Sequence, residues 1–264
     1  MNSRKCLDNY KLFSSFFKFC ALFLILNAHH LHSSIRDNYS FKKIELLEKF
    51  KKDHKNQKDI VKLKKEVFNL GGKAVPTLIE VMKGQKYPDR SRWTATFLLG
   101  RIMGKKSSPF LLNFLEHPNW VLRLASLKTL LILKENNLGT ALKKSLKDKS
   151  LLVRSQALEN IKRLNLKEYS KDVWAMLFDE RNYHQGKNKK RKRTQIIKKV
   201  IKVLGELQFK EALRPLLTLV KNEKYRDIFY EVDYSLQKIT GEKSPSKGRV
   251  TKINFWESFS RRKD

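Results

Sequence analysis

Three groupings of side chains in this sequence have the composition to do chemistry. The acidic neighbours Asp179–Glu180, and Glu231 with Asp233, are the residue types that pair as general acid and base. Each lies among Lys and Arg, and no Ser–His or Cys–His arrangement accompanies them, so they read as surface ion pairs and no catalysis is expected. His29, His30 and His32 resemble a metal-ligand cluster, but no carboxylate or fixed scaffold stands beside them, and no metal or other cofactor is expected. His54, His117 and His184 are scattered over predicted turns and form no ligand set. The stretch GRIMGKKSS, Gly100 to Ser108, nearly spells a phosphate loop. Its first two glycines are separated by three residues where four are needed, and it closes a helix where a phosphate loop follows a strand. No small-molecule substrate is inferred.

The strongest chemical signal is basic. KNKKRKR places Lys187, Lys189, Lys190, Arg191, Lys192 and Arg193 within seven positions. The amphipathic helix that follows, QIIKKVIKVLGEL, buries Ile196, Ile197, Val200, Ile201 and Leu204 on one face, which puts Lys198, Lys199 and Lys202 on the other. Together they read as a cationic patch beside Tyr183 and Trp174. Such a patch holds phosphate backbones through counterion release, or anionic lipid head groups, or acidic polymer. A solvated loop and helix face has the same composition. The whole chain of 264 residues carries a formal net charge of +32, so polyanions of any kind are attracted to it in bulk. With 41% hydrophobic residues it has enough apolar surface to fold, which excludes a wholly disordered chain.

Residues 1–34 read as a signal peptide or N-terminal anchor, not as part of the fold. Arg4, Lys5, Lys11 and Lys18 form a basic region ahead of the apolar run FCALFLIL, Phe19 to Leu26, which is too short to span a bilayer. Export to the periplasm or cell envelope is the leading expectation, with a cytoplasmic location as the alternative. Both cysteines, Cys6 and Cys20, lie in this segment, so no disulfide framework is expected.

The elements that position all these residues emerge from self-similarity. Ala95, Ala125 and Ala157 recur 30 and 32 positions apart, each followed by apolar residues at helical spacing. Between them, Leu78, Leu111, Leu142, Val173 and Leu216 recur at intervals of 33, 31, 31 and 43. Two short amphipathic helices per repeat, each pair unable to bury its own face, predict a helical solenoid. Pro76, Pro109 and Pro215 fall in or near first helical turns, and Gly72, Gly104, Gly139 and Gly205 where helices end or turn. The expected fold is all-α, a right-handed α-solenoid of about six helix pairs over 41–240, with a basic loop insertion at 179–193 and a capping tail at 241–264.

On Arg92 and Ala95, Arg123 and Ala125, the Asp148–Val153–Arg154–Ala157–Leu164 pattern and ELQFKEALRPLL from Glu206, the chain resembles the HEAT-like repeat family, in particular the short bacterial repeats of phycobilin-attachment lyases. The tail SLQKITGEK with Trp256 resembles the closing segment of bacterial proteins of this type. The resemblance implies architecture more than activity, and nothing in the residues indicates a bilin substrate. It also implies that the acid at Asp148 and the recurring Arg92, Arg123 and Arg154, spaced 31 and 31, hydrogen-bond between neighbouring repeats. The alternative for those arginines is a basic ladder that grips an anionic partner.

The reading that follows is a non-catalytic, exported binding or scaffold protein that docks a partner protein, or an acidic polymer, on the surface of its second helices. Two alternatives stay open: a cytoplasmic nucleic-acid-binding protein similar to the HEAT-like alkylpurine DNA glycosylases, and a lyase-type enzyme.

Overall fold

A computed structural model describes residues 41–52, 56–183 and 195–262. The described residues contain helices and no strand. Helices α1 (41–51) and α2 (Gln57–Leu70) open the stack, followed by α3 (Val75–Lys83) with α4 (Asp89–Met103), α5 (Ser108–Asn113) with α6 (Trp120–Ile132), and α7 (Gly139–Leu146) with α8 (Leu151–Leu164). Then come α9 (Ser170–Ala175) with α10 (Gln195–Glu206), α11 (Leu213–Lys221) with α12 (Phe229–Thr240), and a final helix α13 (Arg249–Arg261). No helix among the described residues is long and apolar enough to cross a membrane.

The repeat spacing maps onto burial. Leu78, Leu111, Leu142, Val173 and Leu216 are all fully buried, one from each first helix from α3 to α11, and Ala95, Ala125 and Ala157 are buried on the second helices. Truncating any of these leucines to Ala removes about 2–5 kcal/mol, the usual consequence of opening a cavity in a close-packed core. The helix starts are coded locally: the side chains of Asn56, Asn119 and Asn222 accept from backbone N–H groups two residues on, satisfying donors that the first turn leaves free.

Glycines serve two different purposes. Gly71 and Gly104 end α2 and α4 with nearly the same backbone angles, φ 52° and 57°, a region open to glycine and strained for residues with a Cβ. Gly205 falls in the last turn of α10, where a helix end is expected, but it has a second role. It is the second-last residue of α10, and a Cβ there would sit 2.7 Å from the Cα of Ser235 on α12. Its smallness lets two helices touch.

Consecutive second helices (α2, α4, α6, α8, α10, α12) pack directly against one another, more closely than consecutive first helices do. The second helices thus share one continuous surface along the stack, termed the inner surface. Side-chain hydrogen bonds to backbone tie this layer together: Asn160 Nδ2 donates to the Leu127 carbonyl and Ser235 Oγ to that of Ile201, each at 2.8 Å. At the far end α13 closes the stack against α11. Trp256, fully buried, donates its Nε1 to Asp233 at 2.8 Å, and Lys252 takes the other carboxylate oxygen at 2.7 Å.

Candidate functional site: the inner surface and its charge pattern

Position along the second helices follows the same intervals as the buried leucines. Lys64, Phe97, Lys128, Glu159 and Lys202 are separated by 33, 31, 31 and 43 residues. They form a ridge, and each touches a neighbouring helix. Lys64 of α2 lies over the Phe97 ring of α4 at 5.8 Å, and Lys128 of α6 lies over Trp93 of α4 at 5.3 Å. Further along, Lys202 and Lys238 lie 6.0 and 5.6 Å from the centre of the Tyr234 ring. Cations resting on aromatic faces are drawn by the ring quadrupole, by about 0.5–1 kcal/mol at exposed sites, which also fixes where the charge sits.

The two halves of the ridge differ in compensation. On α10 and α12, Lys198, Lys199, Lys202 and Lys238 each have a carboxylate. Lys199 lies 3.4 Å from Glu159 and donates to the Ser155 carbonyl at 2.8 Å, Lys198 and Lys202 lie 3.8 and 4.0 Å from Glu231, and Lys238 lies 4.0 Å from Glu206. Burial lowers the pKa of Lys199, opposed by Glu159. Glu206 accepts from the Tyr234 hydroxyl, and that bond is the main reason the Tyr234 pKa is pushed up to about 12. In the first half, Lys64 and Lys128 have no carboxylate within 4.0 Å among the described residues, and α6 contains no acidic residue. Lys64 and Lys128 thus place charge without a paired carboxylate next to Phe97 and Trp93.

This differs from the expected patch. Lys187, Lys189, Lys190, Arg191, Lys192 and Arg193 lie outside the described residues, as do His29, His30, His32, His54 and His184. Lys198, Lys199 and Lys202 do share a helix face, but that face turns to Glu159 and Glu231. Trp174 and Tyr183 stand on the other side of α10, with Ile197 and Ile201. The lysines and the aromatics are separated by the helix itself. Trp93, Phe97, Lys64 and Lys128 were not singled out from the sequence, although the intervals that located the buried leucines also pick out the ridge.

The arginine ladder is built inward. Arg123 grips Asp148 with Nε and Nη2 at 2.6 and 2.8 Å and donates Nη1 to the carbonyls of His117 and Pro118. Arg154, one repeat on, donates Nη1 to the carbonyls of Asp148 and Lys149 in the same way, while its Nε reaches Asn182 at 2.8 Å. Asp148 thus pairs with the arginine of α6, one repeat back, and hydrogen-bonds Arg154 only through its backbone carbonyl. Arg92 donates Nε to the Met82 carbonyl at 3.1 Å and lies 3.6 Å from Asp89, but its buried Nη2 has no partner. These guanidinium groups hold turns and repeats together.

The acidic neighbours have structural occupations too. Asp233 is sealed beneath Trp256, Glu231 receives Lys198 and Lys202, and Asp179 is held by Arg181, whose hydrogen bond keeps its carboxyl below the usual range. Among the described residues no group of His, Cys, Asp or Glu has the arrangement to hold a metal ion.

The family comparison agrees with a helical repeat over part of the chain. Residues 75–162, from α3 through most of α8, match the family model for HEAT repeats. No curated protein matches the chain. Among solved structures, the complex of CpcE and CpcF of phycocyanin lyase from Nostoc sp. PCC7120 contains a chain that is similar over 81% of this one and 92% of its own. It is 15% identical, with a TM-score of 0.41. The described residues form an all-α solenoid, and the stretch from α3 to α8 is similar to HEAT repeats.

Proposed function

We propose that this protein is a non-catalytic, exported binding protein that docks an acidic partner protein on the inner surface of its solenoid, with Lys64, Phe97, Trp93 and Lys128 as the principal contacts. The observation that carries this reading is the asymmetry of the ridge. Lysines from α10 and α12 face carboxylates of the same chain, whereas Lys64 and Lys128 rest on aromatic rings with no carboxylate opposite them. A carboxylate arriving from a partner completes those two positions while the rings contact its apolar atoms. Several rigid repeats presenting such points in line suit an extended protein surface. The basic run Lys187–Arg193 adds charge that accelerates encounter. The basic region and the apolar run Phe19–Leu26 support export.

Calorimetric titration with poly-L-glutamate tests the docking surface. Binding weakens with salt, and a Lys64→Glu, Lys128→Glu variant binds about tenfold more weakly, while Gln at Lys198, Lys199 and Lys202 changes affinity less. Tighter binding of single-stranded oligonucleotide than of poly-L-glutamate would move the reading to nucleic acid. N-terminal sequencing of the protein from an extracytoplasmic fraction is expected to start near residues 28–35. An intact Met1 in the cytoplasm overturns export.

A further inference from the structure

A second surface lies away from the inner ridge. Between α9 and α11, the first helices of the two repeats on either side of the late 43-residue interval, the structure holds a cleft of about 480 Å³. The Ile197 and Ile201 side chains of α10 form its floor, and Trp174, Phe178, Tyr183 and Tyr225 are among its walls. Its volume is in the range of ligand sites, and its aromatic rim is unusually bare: Phe178 is 72% exposed and Tyr183 41%. Tyr183 donates its hydroxyl to the Leu177 carbonyl at 2.6 Å, which holds the ring against the wall.

The occupant follows from charge. On α11 and the turn Glu223–Ile228, which contribute one side of the cleft, Arg214, Lys221, Lys224 and Arg226 are exposed and none has a carboxylate within 4.0 Å among the described residues. Glu223 is taken by Arg249, which leaves Asp227 as the carboxylate in the lining. A second copy of this chain, at net +32, is repelled by such a rim, and so is its own basic N-terminal segment.

We infer that the cleft takes an apolar or aromatic side chain from an amphipathic, acidic segment of a partner protein, with Arg214, Lys221 and Lys224 receiving the flanking carboxylates. This rests on the reading that the protein works by docking proteins, and it adds a second point of attachment on a different face. Amphipathic helices commonly anchor in apolar grooves in this way, and one well-packed aromatic side chain carries much of the affinity.

The test uses a fluorescein-labelled peptide with one Trp flanked by Glu residues, compared with a Trp→Ser version and a Glu→Lys version, by fluorescence anisotropy. The acidic Trp peptide binds, and each altered peptide binds about tenfold more weakly or worse. Thr218→Trp, which fills the cleft from an exposed position, and Phe178→Asp each weaken binding to the same extent, with melting temperatures near that of the parent protein. The Lys64→Glu, Lys128→Glu variant still prefers the Trp peptide to its Trp→Ser version and loses that preference when Thr218→Trp is added, so the cleft and the inner ridge fail separately. Equal binding of the Trp→Ser peptide, or undiminished binding to the Thr218→Trp variant, overturns the proposal and reduces the contact to diffuse charge. Preferential binding of the Glu→Lys peptide overturns it as well.

Discussion

The Arg123 guanidinium and the Asp148 carboxylate meet through two parallel hydrogen bonds of 2.6 and 2.8 Å across 25 residues of sequence, joining the start of α6 to the turn before α8. Both side chains are largely buried, at 13% and 8% exposure. A pair of this kind is worth little against an apolar replacement of both partners, but losing one strands a charge in the interior.

Asp148→Ala is therefore expected to destabilise the protein by about 3–5 kcal/mol in denaturant unfolding, and Arg123→Met by a similar amount. The double variant Arg123→Met, Asp148→Leu should recover a large part of that loss. A double variant no more stable than either single one would show that the pair is not the unit of interaction.

The same 25-residue relationship links Arg92 to His117, and His117 stands 31 positions before Asp148. Each accepts from the backbone N–H two residues on, His117 Nδ1 from Asn119 at 3.0 Å and Asp148 Oδ1 from Ser150 at 2.7 Å. Burial, then the nearby Arg92 charge, lowers the His117 pKa below its ordinary value. The unfolded chain thus takes up this proton at a higher pH than the folded one. The stabilising contribution is present above about pH 6.5 and declines as pH falls through the folded-state value. His117→Asp supplies the missing acceptor for Arg92 Nη2, and a gain of about 1 kcal/mol at neutral pH is expected. Melting temperatures of both proteins between pH 5 and 8 check this. The advantage of the variant should widen from pH 7 down to pH 5.

Gly205→Ala forces a Cβ to within 2.7 Å of the Ser235 backbone, which cannot rotate away as a side-chain tip would. Separation of α10 from α12 is expected, with a loss of about 1–3 kcal/mol. Gly248→Ala is the control, since nothing lies within 4 Å of its added Cβ and its φ is negative. If the two alanine variants melt together, close approach is not the reason for the glycine at 205.

Much of the architecture was legible in the chain because a repeat writes its geometry as an interval. Leu78, Leu111, Leu142, Val173 and Leu216 share one environment, so they share one residue class, and the spacing of 33, 31, 31 and 43 can be read without coordinates. Pro76 and Pro109 mark first turns for an equally local reason, the missing N–H.

What the sequence by itself determined is therefore the helical periodicity, the repeat register, the excess of positive charge and the late interval after Val173. The tertiary structure decided which charges remain available, because compensation is set by side chains that are neighbours only across repeats. Lys198, Lys199 and Lys202 look free along α10, yet Glu159 and Glu231 reach them from the helices on either side. Lys64 and Lys128, ordinary surface lysines in the sequence, are placed on the rings of Phe97 and Trp93 by the stacking of α2 and α6 on α4. A one-dimensional pattern records which face a residue occupies. The potential at that face depends on distances between chain segments about 30 residues apart, and only the packed solenoid supplies those.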